Sequence, residues 1–151
     1  EQPLIGAPGR IVDIGCGNGV LAVSAALAYP AAEVIASDQS AAAVAATRLT
    51  VKAAGVEDRV TVVRADASEA VPAVWADLVL LNPPFHAGAT VHAGVGQRLI
   101  RSCVGALATG GELRLVFNTH LGYRQLIERE IGPTRQLARN KTFTVLAATK
   151  R

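Results

Sequence analysis

At 151 residues, half of them apolar and 18% charged, the chain is long enough to bury a core and too apolar to be a disordered segment. Aromatics at 4% leave Ala, Val and Leu to build that core and argue against a stacking platform for single strands; Cys16 and Cys103 are too few for a disulfide framework or a zinc site. The net charge of +3 is uneven: residues 1–82 carry 5 basic and 9 acidic side chains, residues 83–151 carry 10 basic and 3 acidic, so a polyanionic partner is expected for the second half, with solvated helix faces as the alternative.

The elements alternate along the chain. Residues 10–14 predict a strand ended by glycines, and 20–29 a helix stopped by Pro30. Residues 33–37 predict a second strand. Ser40 caps a helix that ends at Gly55, and 59–64 predict a third strand. The apolar run 77–81 predicts a fourth strand that stops at Asn82-Pro83-Pro84. Residues 95–108 predict a helix with one apolar stripe (Leu99, Ile100, Cys103, Val104, Leu107), ended by Gly110-Gly111. A fifth strand is expected over 112–118, a helix over 120–131 closed by Gly132-Pro133, and a hairpin of 135–139 with 143–149 joined at Asn140-Lys141. This order predicts one α/β domain over 1–151 with a doubly wound, mainly parallel, Rossmann-like sheet. The chain opens without Met and with little before its first strand, so an absent upstream part is expected. Cysteine usage, no signal-peptide pattern and no apolar run of bilayer length predict a cytoplasmic location.

The first strand runs into Asp13-Ile14-Gly15-Cys16-Gly17-Asn18-Gly19 and a helix follows at once. Such glycines let the backbone turn sharply and let a ligand lie against it. Dinucleotide binding wants G-x-G-x-x-G; here the third glycine comes one residue early, and Val20 stands where it belongs. An acid two places before the first glycine suits a cofactor carrying a sulfonium and an ammonium rather than phosphates, which is the chemistry of S-adenosylmethionine. Asp38, followed by Gln39, is placed to accept hydrogen bonds from ribose hydroxyls, and Asp66, followed by Ala67, to hold an adenine amino group. Asp38 or Asp66 alone would also serve as a helix cap; three acids at the ends of successive strands are harder to explain that way.

Asn82-Pro83-Pro84-Phe85 follows the fourth strand, and in a doubly wound sheet the first and fourth strands flank the point where strand order reverses. The glycine turn and Asn82 should therefore face one crevice. An exocyclic amine on a ring is a poor nucleophile, because its lone pair is delocalised. Two acceptors aimed at its hydrogens, the Asn82 side-chain oxygen and the Pro83 carbonyl, would stabilise the positive charge that grows during attack on a methyl group. Phe85 offers a face for a stacked base. His86 is a weaker candidate, better explained by packing or capping.

At these residues the chain resembles the class I S-adenosylmethionine-dependent methyltransferases. More narrowly, Asn82-Pro83-Pro84-Phe85-His86-x-Gly88 is similar to the ribosomal RNA guanine-N2 methyltransferases, a likeness extended by Gly110-Gly111-Glu112-Leu113, Asn118-x-x-Leu121-x-Tyr123 and Phe143-x-Val145-Leu146. The resemblance covers about residues 10–149. It implies a seven-stranded sheet with an antiparallel last strand, S-adenosylmethionine as cofactor on Asp13, Gly15, Cys16, Gly17, Asn18, Gly19, Asp38, Gln39, Asp66, Ala67 and Asn82, and catalysis by Asn82, Pro83 and Phe85 without a metal. It implies ribosomal RNA or a ribosomal subunit as partner, no membrane, and an N-terminal RNA-holding domain in most members. Three readings stay open beside it: methylation of protein glutamine or of adenine N6, a non-catalytic RNA-binding module, and a dehydrogenase. Glutamine-directed relatives usually have Tyr where Phe85 stands.

Overall fold

A computed structural model describes residues 6–83 and 89–151, the side chains of 89–93 excepted. The element order is β1 (Arg10–Ile14), α1 (Val20–Ala28), β2 (Glu33–Asp38), α2 (Ala41–Ala54), β3 (Val60–Arg64), β4 (Ala76–Leu81), α3 (Ala89–Ala106), β5 (Leu107–Asn118), a 3-10 turn (Thr119–Leu121), α4 (Arg124–Glu130), β6 (Thr134–Arg139) and β7 (Phe143–Thr149). The strands form one sheet in the order β3-β2-β1-β4-β5-β7-β6. β1 to β5 pair in parallel, and β7 runs antiparallel to both β5 and β6, as expected of the last strand.

Strands buried on both faces need apolar side chains on both, and β1 and β4 supply them. Val12, Ile14, Val79 and Leu81 join one core with α3 and α4 residues such as Ile100, Cys103 and Ile127. Ile11 and Leu78 join the other, with Ala22 and Ala26 of α1 and Val51 of α2. Each fully buried Ile or Leu contributes about 1.5–3 kcal/mol, so these pairs fix β1 beside β4 and thereby fix the spacing of their carboxyl ends. Ile14 stands opposite Leu81, which puts Gly15 and Asn82 next to one another where the two strands stop.

The bounds of α3, β5 and α4 differ from expectation by more than one residue. α3 starts at Ala89 rather than 95 and ends at Ala106, so Leu107 lies in β5. Gly110-Gly111 therefore sits inside β5 and does not end the helix. The β4–β5 register jumps from Ala76↔Leu107 to Leu78↔Glu112, and a Cβ on Gly111 would stand 2.8 Å from the Ala76 and Ala108 carbonyl oxygens. The glycines let an irregular strand pass close to its neighbour. The carbonyls at the end of α3 are satisfied instead by the Val74 and Trp75 amides, which donate to Gly105 (2.8 Å) and Ala106 (3.0 Å), and by Lys150 Nζ, which donates to Val104 (2.6 Å) and also to Leu107 at the start of β5 (2.8 Å). The helix expected over 120–131 is split, because Gly122 adopts φ +63° between the 3-10 turn and α4. The hairpin stands as expected.

Candidate active site

The carboxyl ends of β1, β2 and β4, the segment after β3 and one face of α3 enclose a cleft of about 420 Å³. Gly15, Gly17, Asp38, Gln39, Asp66, Ala67, Asn82 and Pro83 line it together. The crevice inferred from strand order is therefore present, with the glycine turn and Asn82 on its walls. Asn82 is exposed and makes no hydrogen bond among the described residues, and Pro83 is buried. Pro84, Phe85, His86 and Gly88 lie outside the described residues.

The glycine turn is held from two sides. The Gly15 and Cys16 amides donate to the Ser37 carbonyl at 2.8 and 2.9 Å, tying the turn to the end of β2. From α2, Thr47 Oγ1 donates to the Gly17 carbonyl at 2.9 Å and Thr50 Oγ1 to the Asn18 carbonyl at 2.6 Å. Thr47 has one hydroxyl proton, so the Cys16 thiol 3.2 Å away must donate to it. Cys16 thus turns its side chain into the protein, and burial raises its thiol pKa. Gly19 closes the turn at φ +84°, and a Cβ there would stand 2.9 Å from Thr47 Cγ2. A Cβ on Gly15 or Gly17 would meet nothing within 4 Å, so the open side of the turn faces the cleft.

Asp38 bridges the turn and the next helix. Its Oδ2 accepts from the Gly17 amide at 3.1 Å and its Oδ1 from the Ser40 amide at 2.9 Å, which leaves one lone pair on each oxygen toward the cleft. The Ala65 amide donates to the Asp38 carbonyl, setting Asp66 beside it. Ala67 follows at φ +47°, an uncommon conformation for a residue with a side chain and one that concentrates at ligand sites.

Asp13 lies beneath the turn and outside the lining. It is 1% exposed, and neither carboxylate oxygen has a hydrogen-bond partner among the described residues. Burial pushes its pKa up to about 7 and the charge of Asp38 adds to that; the Ala22 amide offsets part of the shift from beyond hydrogen-bond geometry. An orphaned carboxylate below an open glycine turn fits a ligand that brings a positive charge. The residues present therefore fit a cationic cofactor better than a phosphate-bearing one.

Sequence reasoning missed the α3 wall, Val95, Arg98 and Leu99. Arg98 donates from both terminal nitrogens to Asp66, at 3.0 and 3.1 Å, so the acid expected to hold an adenine amine already has a partner. Nothing in the sequence signalled this, because the pair depends on how α3 crosses the cleft. Thr47 and Thr50 did carry a signal: two hydroxyls one helical turn apart in an Ala-rich helix. Among the described residues no group of three His, Cys, Asp or Glu is placed to hold a metal, and no helix is long and apolar enough to cross a membrane.

The arrangement matches known proteins closely. The methyltransferase small domain model matches residues 3–147. The chain is 42% identical to the ribosomal RNA small subunit methyltransferase C of Pseudomonas paraeruginosa over 140 residues, 93% of this chain and 41% of that protein. It is 38% identical to the ribosomal RNA large subunit methyltransferase G of Streptomyces avermitilis over 149 residues, 99% of this chain and 39% of that protein. The chain thus spans about two fifths of the length of these curated relatives. Among solved structures it is similar to the T. thermophilus 16S rRNA N2 methyltransferase RsmC in complex with AdoMet and guanosine, with TM-score 0.82, 29% identity, and coverage of 94% of this chain and 37% of that one. With its seven-stranded Rossmann-like sheet and a family model matched over nearly its whole length, the chain belongs to the methyltransferase small domain family.

Proposed function

We propose that this chain is the catalytic domain of an S-adenosylmethionine-dependent N-methyltransferase whose target is the N2 amine of guanine in ribosomal RNA. The observation that carries the reading is the meeting of Asn82 with the open face of the Gly15–Gly17 turn in one cleft, beside Asp38 and Asp66. The names of the relatives, and the AdoMet and guanosine bound by the T. thermophilus protein, support the cofactor and the substrate class.

When bound, the cofactor supplies an electrophilic methyl group. The chain's own residues do the rest. Asp38 offers a lone pair on each oxygen to a pair of ribose hydroxyls. Ala67 and the glycine turn let a planar ligand approach the backbone. Asp13, behind the turn, is ionised as pH rises through about 7 and then welcomes an ammonium or sulfonium brought to the turn. Asn82 Oδ1 and the Pro83 carbonyl accept the two hydrogens of the substrate amine, orient its lone pair and stabilise the charge that grows on nitrogen. Pro83 fixes its own backbone, so the acceptors need little reorganisation. No general base is required before attack, and water takes the proton after transfer. The test is to incubate the protein with methyl-labelled cofactor and each ribosomal RNA or subunit, then identify the modified nucleoside or amino acid by mass spectrometry. N2-methylguanosine is expected; N6-methyladenosine, methylglutamine or no product overturns the substrate assignment.

A further inference from the structure

The basic second half of the chain is mostly bound to itself. Eight of its ten cationic side chains make ion pairs or donate to backbone carbonyls. Each of these therefore has a partner within the fold. Arg139 and Lys141 are the exceptions. Both are exposed and neither has an acidic partner among the described residues. They flank Asn140 at the tip of the β6–β7 hairpin.

That tip stands on the same edge of the sheet as the cleft. β4 and β5 are parallel, and Leu81, the last residue of β4, is level with Leu115. β5 continues three residues further to Asn118, which pairs with Phe143 at the start of β7. The tip thus lies two strand spacings (β7) to three (β6) from β4, about 10–15 Å sideways from Asn82, and up to about 10 Å above it. On the opposite side the rim carries Asp38 and Asp66 and belongs to the half of the chain with net negative charge.

The tip is also densely hydrogen-bonded. Asn140 Oδ1 accepts from the Thr142 and Phe143 amides at 2.8 and 2.7 Å, and the Asn140 amide donates to the Phe143 carbonyl at 2.9 Å. Thr119 clamps the turn to the end of β5: its amide donates to the Thr142 carbonyl at 2.8 Å and its hydroxyl lies 3.2 Å from the Asn140 carbonyl and 3.0 Å from Thr144 Oγ1. Two unpaired cations on a braced turn lose little backbone freedom when they meet an anion.

We infer that Arg139 and Lys141 form a phosphate-docking rim for the RNA strand that flanks the target nucleotide, so that the strand leaves the cleft over β5 and β7 and avoids the acidic β2–β3 side. This rests on the proposed RNA substrate. It adds a path and a polarity that the cleft alone does not give. The distance from Asn82 suits a neighbour of the target nucleotide, not the target itself, so the rim governs RNA binding and leaves cofactor binding alone.

The test compares the protein with its Arg139→Ala/Lys141→Ala and Arg139→Lys/Lys141→Arg double variants on purified 16S and 23S rRNA across a salt series. The alanine pair is expected to bind RNA on the order of tenfold more weakly near physiological salt, and to lower the slope of log K against log salt by about 1.4, the value for two single-strand phosphates. S-Adenosylmethionine affinity and melting temperature should match wild type, and the charge-preserving pair should keep wild-type RNA affinity. An unchanged RNA affinity and salt slope in the alanine pair overturns the inference even if the enzyme methylates RNA normally. A defect seen only on intact ribosomal subunits and not on naked RNA also overturns it, in favour of a protein contact. Wild-type RNA binding that the alanine pair loses, in a protein that methylates something else, upholds the rim while sinking the proposed substrate.

Discussion

On the β1–β2–β3 side of the cleft the walls are short: glycines, an Asp whose oxygens are gripped by two amides, and threonine hydroxyls on backbone carbonyls. On the β5–β7–β6 side the structure ends in long cationic side chains standing free above the edge. The first side presents short groups already fixed by hydrogen bonds, which suits the proposed cofactor. The second presents a few unpaired charges, which suits the proposed RNA strand. Asn82 sits on the boundary between them, at the end of β4. On the proposed function, cofactor affinity and RNA affinity fall to separate residues, and substitutions can break or sharpen that separation.

The largest expected effect comes from Asp13. Its folded pKa of about 7 lies above the ordinary 3.8, so between those values the folded chain holds a proton that the unfolded chain has released. Stability must then fall as pH rises through that window, by about 1.4 kcal/mol per unit and up to about 4 kcal/mol in all, and level off above it. The difference between wild type and Asp13→Asn, followed by urea unfolding from pH 4 to 8, isolates this one group. The Asn variant should gain on wild type as pH rises. A difference that is flat with pH means that the carboxylate is ionised in the folded chain throughout. S-Adenosylmethionine should reverse the order, binding wild type more tightly as pH rises through about 7 and the variant weakly at every pH.

Next in size, Asn82→Ala should raise the barrier by roughly 3 kcal/mol, a loss of about 10²–10³ in kcat, because it removes one acceptor from the reacting amine. Calorimetry should find cofactor affinity little changed, since the Asn82 side chain takes no part in holding the turn. Wild-type turnover in this variant would sink its role. Asp38→Ala is expected to do the reverse: it should weaken cofactor binding by about 1–3 kcal/mol, from lost hydrogen bonds and the stranded Gly17 and Ser40 amides, while RNA affinity holds. Equal losses of RNA and cofactor affinity would erase the division between the two sides.

How much of this was legible depended on whether the cause was local. The glycine turn, the Asn82-Pro83 stop and the three acids at strand ends could be read because each marks the end of a strand, and strand order alone brings those ends together. Gly110-Gly111 misled because glycines end helices and also let strands crowd, and only the Ala76 carbonyl against Gly111 decides which. Gly122 splits a helical pattern that periodicity reads straight through. The charge asymmetry singled out the second half of the chain but not Arg139 and Lys141 within it, since every other Arg or Lys in that half meets a partner brought by the fold. Arg98 was invisible for the same reason: its partner lies 32 residues upstream, across the cleft.

Arg98 gives the smallest effect and the finest test of the comparison, because it is a long cation from α3 that reaches into the short-walled side. Its pairing with Asp66 is exposed on both partners, with side chains 50% and 43% accessible, and such pairs are weak and screened by salt. Each Asp66 oxygen already accepts one guanidinium N–H, so an incoming adenine amine has to share the carboxylate. The guanidinium also repels a cofactor that carries positive charge. Both effects have one sign: Arg98→Ala should bind S-adenosylmethionine about two- to fivefold more tightly, with the gain fading as salt is raised. The measurement is a calorimetric titration at low and high ionic strength. A loss of affinity larger than about fivefold would mean that Arg98 contacts the cofactor itself, and the cofactor side would then depend on a mobile cation after all.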